Sequence, residues 1–200
     1  MTKQWTVADM PNLSGKNVIV TGANSGVGYE AARAFAEKGA HVVFACRSRE
    51  RAEEAVAELS KQNPKVSVEI AILDLADMAS VHNFAQQYNA SHKRLDILVN
   101  NAGVMAIPYR ETADGFEMQF GTNHLGHFAL TGLLLDRLSG TDGARVVTVS
   151  SGLHRSGKLN FDDLQVTQRY DKRAAYSQSK LANLLFAYEL QRKLAGAGQE

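Results

Sequence analysis

From residue 17 onward, short runs of apolar, often β-branched residues alternate with longer stretches whose apolar positions recur every three to four residues. The short runs at 17–21 (Asn-Val-Ile-Val-Thr), 41–45, 66–73, 96–100 and 145–149 read as strands. Such near-continuous apolar runs suit strands buried on both faces. The intervening stretches predict helices at 29–38 (with Gly39 as its C-cap), at 50–59 (amphipathic and rich in Ala, Glu and Arg) and at 78–88. Two more are predicted: 114–138, as one long helix or two stacked pieces, and 174–194. Strands alternating with helices imply right-handed βαβ units and a parallel sheet covered on both faces. The expected class is therefore α/β, a three-layer, doubly wound parallel sheet. Residues 1–15 form an N-terminal extension, and 16–200 form a single domain.

Composition adds exclusions. Hydrophobic residues make up 44% and charged residues 22% of the 200-residue chain, as in an ordinary globular protein. The formal net charge of +1 leaves no electrostatic footprint for nucleic acid or an anionic membrane. Cys46 is the only cysteine, which excludes an internal disulfide and a multi-cysteine metal site. It reads as a small buried strand residue and not as a nucleophile. A reducing, cytoplasmic setting fits. Trp5, Asp9 and Pro11 stand where a signal peptide needs an apolar stretch. No run approaches the roughly 18 to 20 apolar residues of a membrane span, since the apolar stretch at 130–138 is interrupted by Asp136 and Arg137.

In doubly wound sheets, ligands sit at the carboxyl ends of the strands, and the unusual residues cluster there. Between the first strand and first helix lies Thr21-Gly22-Ala23-Asn24-Ser25-Gly26-Val27-Gly28. Glycines in this position permit a tight turn and let the backbone approach a pyrophosphate at the positive end of a helix. Gly22, Asn24, Ser25, Gly26, Val27 and Gly28 are thus cofactor-binding candidates, although the glycine spacing departs from the common G-x-G-x-x-G. After strand two comes Ala45-Cys46-Arg47-Ser48-Arg49, with no carboxylate to hold the ribose hydroxyls of NAD. Arg47 suits the 2′-phosphate of NADP, so NADP is the expected cofactor and NAD the alternative. The plainer reading makes Arg47 and Arg49 solvated surface charges.

After strand three stand Asp74 and Leu75; Asp74 is placed to accept from an adenine amino group, or to serve the next helix N-terminus together with Asp77. After strand four, Asn100-Asn101-Ala102-Gly103 combines small residues that admit a ligand to the backbone with amides able to tie strand ends together. On the last helix, Tyr176 and Lys180 are four residues apart and so share one face. A cation one turn away favours phenolate, which suits a general acid/base; alone, the pair could equally decorate a solvated helix. His124, His127 and His154 invite a metal reading, but no H-E-x-x-H pattern is present. No metal site is expected from them.

Taken in order, Thr21-Gly-x-x-x-Gly-x-Gly28, Asp74, Asn100-Asn-Ala-Gly103, a serine after strand five and Tyr176-x-x-x-Lys180 resemble the short-chain dehydrogenase/reductase family over about residues 16–194. Four segments make the chain most similar to the retinol-dehydrogenase-like branch. They are Thr-Gly-Ala-Asn-Ser-Gly (21–26), Ala-Cys-Arg (45–47), Asn-His-Leu-Gly-His-Phe (123–128) and Tyr-Ser-Gln-Ser-Lys-Leu-Ala-Asn (176–183). The resemblance implies hydride transfer between a nicotinamide and a carbonyl or alcohol. Tyr176 would be the general acid/base, and Lys180 would tune it and hold the nicotinamide ribose. Ser151, second of the pair Ser150-Ser151, would donate to the substrate oxygen, and Asn123 would hold a water in the proton relay.

Asn101, Ala102 and Gly103 join the cofactor-binding set, as do Tyr176 and Lys180. The segments 104–109 and 152–173, with Leu153, Leu159, Phe161 and Leu164, would border a pocket for a small, apolar carbonyl or alcohol. A homo-oligomer through the long helix and the catalytic helix is implied as well. With no anchor in this chain, a retinoid substrate is not expected. The family pattern continues into further strands after the catalytic helix, so the domain is expected to lack its C-terminal strands. A non-catalytic dinucleotide-binding or interaction protein on the same fold is the alternative.

Overall fold

The structure, a computed structural model, describes residues 5–198. Five strands form one parallel sheet: β1 (Asn17–Thr21), β2 (His41–Cys46), β3 (Ser67–Ile72), β4 (Ile97–Asn100) and β5 (Arg145–Thr148), in the order β3-β2-β1-β4-β5. The order reverses at β1, so a crevice opens between the carboxyl ends of β1 and β4. Val18, Ile19 and Val20 of β1 are fully buried, and successive residues serve opposite faces. Ile19, Val43 and Leu98 pack against Val81, Phe84, Leu130 and Leu134. Val18, Val20, Val42 and Phe44 pack against Ala32, Ala36, Ala52 and Leu59 on the other face. Fully burying one such large side chain contributes roughly 1.5–3 kcal/mol, so the two faces together hold the three layers.

On one face lie α1 (Gly26–Glu37) and α2 (Arg49–Gln62), and on the other α3 (Met78–Ser91). The glycine turn feeds straight into α1, which begins three residues before the apolar pattern does. Residues 13–16 run along the end of α1 and the start of β2: Leu13 N–H donates to Lys38 O at 2.8 Å, and His41 N–H donates to Lys16 O at 2.9 Å. Part of the expected N-terminal extension is therefore packed on the domain.

The stretch 114–138 is neither one helix nor two. It holds α4 (Met118–Phe120), a π-helical turn at Gly121–Leu125, α5 (Gly126–Leu133) and, after a break at Leu134, α6 (Leu135–Ser139). Glycines bracket the π turn because there is no room for more: a Cβ at Gly121 would run into Thr112 Cγ2, and one at Gly126 into the Leu75 carbonyl. Such turns insert one extra residue into a helix and favour functional sites; this one carries Asn123. The catalytic-helix candidate, α7 (Lys172–Gly196), is capped by Asp171, whose Oδ1 accepts from Arg173 and Ala174 N–H. No helix among the described residues is long and apolar enough to cross a membrane.

Candidate active site

The glycine turn closes tightly against the end of β4. Gly22 has φ +67°, and a Cβ there would sit 3.1 Å from Ala102; a Cβ at Gly28 would strike both Asn101 Nδ2 and the Gly22 carbonyl. Gly26, at φ +56°, faces open space. Ser25 precedes α1 without its side chain capping the helix, and Val27 is 72% exposed. The first N–H groups of α1 thus face an open cleft, with Asn24 and Ser25 at its lip. Arg47 is exposed and makes no hydrogen bond or ion pair among the described residues, whereas Arg49 lies 3.9 Å from Glu53. Cys46 is buried, and its desolvation raises the thiol pKa, as befits a packed strand residue.

At the end of β3, helix capping falls to Asp77, whose Oδ1 accepts from Ala79 and Ser80 N–H. Asp74 instead closes a local turn: Oδ1 accepts from Ala76 N–H at 2.9 Å, which leaves Oδ2 for a ligand. The Leu75 side chain is buried in the core, so only its backbone can meet a cofactor.

Asn100, the last residue of β4, and Asn101 after it both tie strand ends together. Asn100 Nδ2 donates to Thr131 Oγ1 at 3.0 Å, and Asn101 Nδ2 donates to Thr21 O at 2.9 Å. Thr21 is the hub. Its Oγ1 accepts from the backbone N–H groups of Asn101 and Ala102, each at 2.9 Å, and lies 2.8 Å from His127 Nε2. His127 Nδ1 is 3.0 Å from the Asn123 carbonyl. A carbonyl only accepts, so Nδ1 carries the proton and Nε2 accepts from the Thr21 hydroxyl. Neutral imidazole is required, and burial lowers the His127 pKa to about 4. The Asn123 carboxamide is equally committed: Oδ1 accepts from Val104 N–H at 2.8 Å, and Nδ2 donates to Val104 O and Ser179 Oγ at 2.9 and 3.0 Å.

These ties bring the acid/base candidates to the crevice. Lys180 Nζ lies 5.7 Å from the centroid of the half-buried Tyr176 ring and donates to Val149 O at 3.1 Å. Lys180 is only 4% exposed, and burial lowers its pKa. A Cβ at Gly103 would stand 3.0 Å from Asn123 Oδ1 and 3.7 Å from Lys180 Nζ, so the backbone after β4 borders the ammonium. The two serines divide their work. Ser150 Oγ donates to the Lys180 carbonyl at 2.8 Å, fastening α7 to the end of β5. Ser151 Oγ accepts from Leu153 N–H at 3.3 Å and keeps its proton to donate.

The model of the family described as short chain dehydrogenase matches residues 16–198. The chain belongs to this family. Human retinol dehydrogenase 12 is 50% identical over 186 residues, which cover 93% of this chain and 59% of that protein. Human retinol dehydrogenase 13 is 47% identical, with 93% and 56% covered. The chain thus spans under three-fifths of the length of these relatives. Among solved structures, an uncharacterized protein from Mycobacterium paratuberculosis superposes with a TM-score of 0.88 at 50% identity, covering 98% of this chain and 69% of that one. A short chain dehydrogenase from Shigella flexneri 2a complexed with NADP superposes with a TM-score of 0.73 at 26% identity, covering 91% and 73%.

In this member of the short-chain dehydrogenase family, the loops at 104–109 and 152–173 are anchored to one another through Gln119. Ala106 N–H donates to Gln119 Oε1 at 2.7 Å, and Gln119 Nε2 donates to Tyr170 Oη and Lys172 O at 2.8 and 2.9 Å. Burial, with the Glu117 carboxylate adding to it, pushes the Tyr170 pKa up to about 12 although the Gln119 bond opposes this. Glu117 is fully buried and caps α4 through Gln119 and Phe120 N–H. Met105, Leu153 and Phe161 stand exposed along these loops at 61%, 44% and 80%. Sequence reasoning missed Thr21 as a hub, His127 as its partner, and the Glu117–Gln119–Tyr170 anchor. Only the coincidence of a strand-end threonine with a histidine in an apolar helix pointed to the first two; the third spans a long loop and left no local signal.

Proposed function

We propose that the chain carries the catalytic centre of an NADP-dependent oxidoreductase that interconverts a carbonyl and an alcohol. The observation that carries this reading is the buried Lys180 beside Tyr176, at the crevice where the glycine turn and the strand-four glycine leave room for a ligand. Lys180 spends one proton on Val149 and keeps others for the nicotinamide ribose, with its ammonium held 5.7 Å from the centroid of the Tyr176 ring. Tyr176 gives its proton to the substrate oxygen as hydride arrives, and takes it back in oxidation. Ser151 steadies the developing charge on that oxygen. Asn123 is a positioning residue: its side chain fixes Val104 and Ser179 on either side of the pair, and a relay water would have to be held around these bonds.

The NADP cofactor would supply the hydride. Its pyrophosphate would lie on the Gly22–Gly28 turn, with Asn24, Ser25, Gly26 and Val27 around it. Arg47 would meet the 2′-phosphate, Asp74 the adenine, and the 101–103 backbone the nicotinamide half. The neighbour complexed with NADP supports this choice. Exposed Met105, Leu153 and Phe161 favour an apolar carbonyl substrate. The relatives named retinol dehydrogenases share half of their residues with this chain. That no helix among the described residues is long and apolar enough to cross a membrane carries no weight against a retinoid in a chain that spans under three-fifths of their length.

The test is NADPH oxidation, followed by absorbance, against aldehydes and ketones that include retinal. Turnover is expected with at least one apolar aldehyde, and Tyr176→Phe should lower it by roughly 10²–10⁴-fold while NADPH still binds. Bound NADPH with no turnover across the panel would instead indicate a binding module.

A further inference from the structure

At the amino ends of the strands, on the side of the sheet away from the crevice, three potential ligands converge. His41 opens β2, Glu69 is the third residue of β3, and His92 ends α3. The parallel register pairs His41 with Ser67 and Val43 with Glu69, which sets the His41 and Glu69 side chains on one sheet face, two positions apart. One carboxylate oxygen, Glu69 Oε2, stands 3.4 Å from His41 Nε2 and 3.4 Å from His92 Nε2. The three ligand atoms all lie within 4.8 Å of one another. Two ligands at about 2.0–2.1 Å from a tetrahedral ion are themselves about 3.3–3.4 Å apart, the spacing seen on both sides of Glu69.

The hydrogen bonds point the same way. Ser91 Oγ donates to Gln87 O at 2.9 Å, so it accepts from His92 Nδ1, also at 2.9 Å. Nδ1 therefore holds a proton, and in the neutral ring the Nε2 lone pair meets a carboxylate oxygen. Two acceptors then face each other, an arrangement satisfied either by a second ring proton or by a metal cation between them. His41 Nδ1 is likewise engaged, 2.8 Å from Ser67 Oγ, and outer partners of this kind orient metal-binding histidines. The Tyr88 ring stacks on His92 with centroids 4.3 Å apart and holds it in place. The Glu69 and His41 side chains are 42% and 30% exposed, so water can complete a fourth position.

We propose that His41, Glu69 and His92 form a binding site for a borderline divalent cation of the zinc class. Two imidazoles and one carboxylate suit Zn(II) or Co(II) and disfavour Mg(II) and Ca(II), which take oxygen ligands. The site lies the length of β2, roughly 16 Å, from the cofactor edge, so its role is structural: it staples the edge strand β3 to β2 and to the end of α3.

The experiment uses the untagged, chelator-treated full chain, titrated with Co(II) and followed by its visible absorption, then with Zn(II) in thermal unfolding. Expected are saturation at about one equivalent in the micromolar range, tetrahedral-type Co(II) bands, and a midpoint several degrees higher with Zn(II). His92→Ala and Glu69→Gln should each weaken binding roughly tenfold or more, while His154→Ala leaves it unchanged. Circular dichroism and NADPH binding show that each variant folds. No saturable binding, or variants that bind as the parent does, would overturn the site; a shared proton as the only cation would show as a metal-independent midpoint.

Discussion

At the scale of single residues, His127 makes a measurable claim. Its ordinary pKa of 6.5 holds in the unfolded chain, whereas burial lowers it to about 4 in the fold. Between these values the unfolded state binds the extra proton, so stability is complete above pH 6.5 and declines as pH falls towards 4. The full loss is about 3 kcal/mol. His124, whose pKa is also lowered by burial, acts in the same sense. Urea unfolding of parent and His127→Gln, at pH 7 and near pH 4.5, should show a much shallower pH dependence in the variant; equal slopes would mean that His127 does not enter the fold neutral. Arg47→Asp tests the other end of the site. Affinity should shift from NADPH towards NADH, and unchanged NADPH binding would remove Arg47 from the 2′-phosphate. The positions of such residues were legible because each follows a strand end, which places it at the carboxyl edge of the sheet whatever its partners. His127 was not: its partner Thr21 lies 106 positions away, and only the fold joins them.

At the scale of elements, the strands and the helices 26–37, 49–62 and 78–91 follow from apolar periodicity because each buries a face whose period matches its geometry. The stretch 114–138 did not, because glycines at 121 and 126 answer to Thr112 and Leu75, contacts far from the local pattern. The π turn between them re-aims Asn123 while leaving the outer face of α5 apolar. Phe128 is 56% exposed, with its ring 5.5 Å from Phe186 of α7, and Leu185 and Tyr188 on α7 are 47% and 70% exposed. This aromatic face spans α5 and α7, and we propose that two copies of the chain pair across it. Phe128→Glu combined with Tyr188→Glu is then expected to halve the mass seen by light scattering without altering the far-ultraviolet dichroism; an unchanged mass would place the contact elsewhere or remove it.

For the whole molecule, the two edges of the sheet differ. At one edge β3 contributes Glu69 to the histidine cluster, and at the other β5 ends the sheet with Val147 47% exposed. Beside it runs a groove of about 550 Å³ bordered by Leu138, Val146, Leu190 and Leu194. An edge strand with unpaired N–H and C=O groups, here next to a groove lined by both apolar and polar side chains, is a template for another strand. We propose that the strands following α7 in longer family members pair at β5. A chain of these 200 residues, expressed as such, should therefore associate through β5 as concentration rises, independently of the α5–α7 face. Sedimentation should show a mass that grows with concentration in the Phe128→Glu, Tyr188→Glu background and returns to the monomer when Val147→Lys is added. A monomer at every concentration before that addition would show that the α6–α7 flanks already shield the edge.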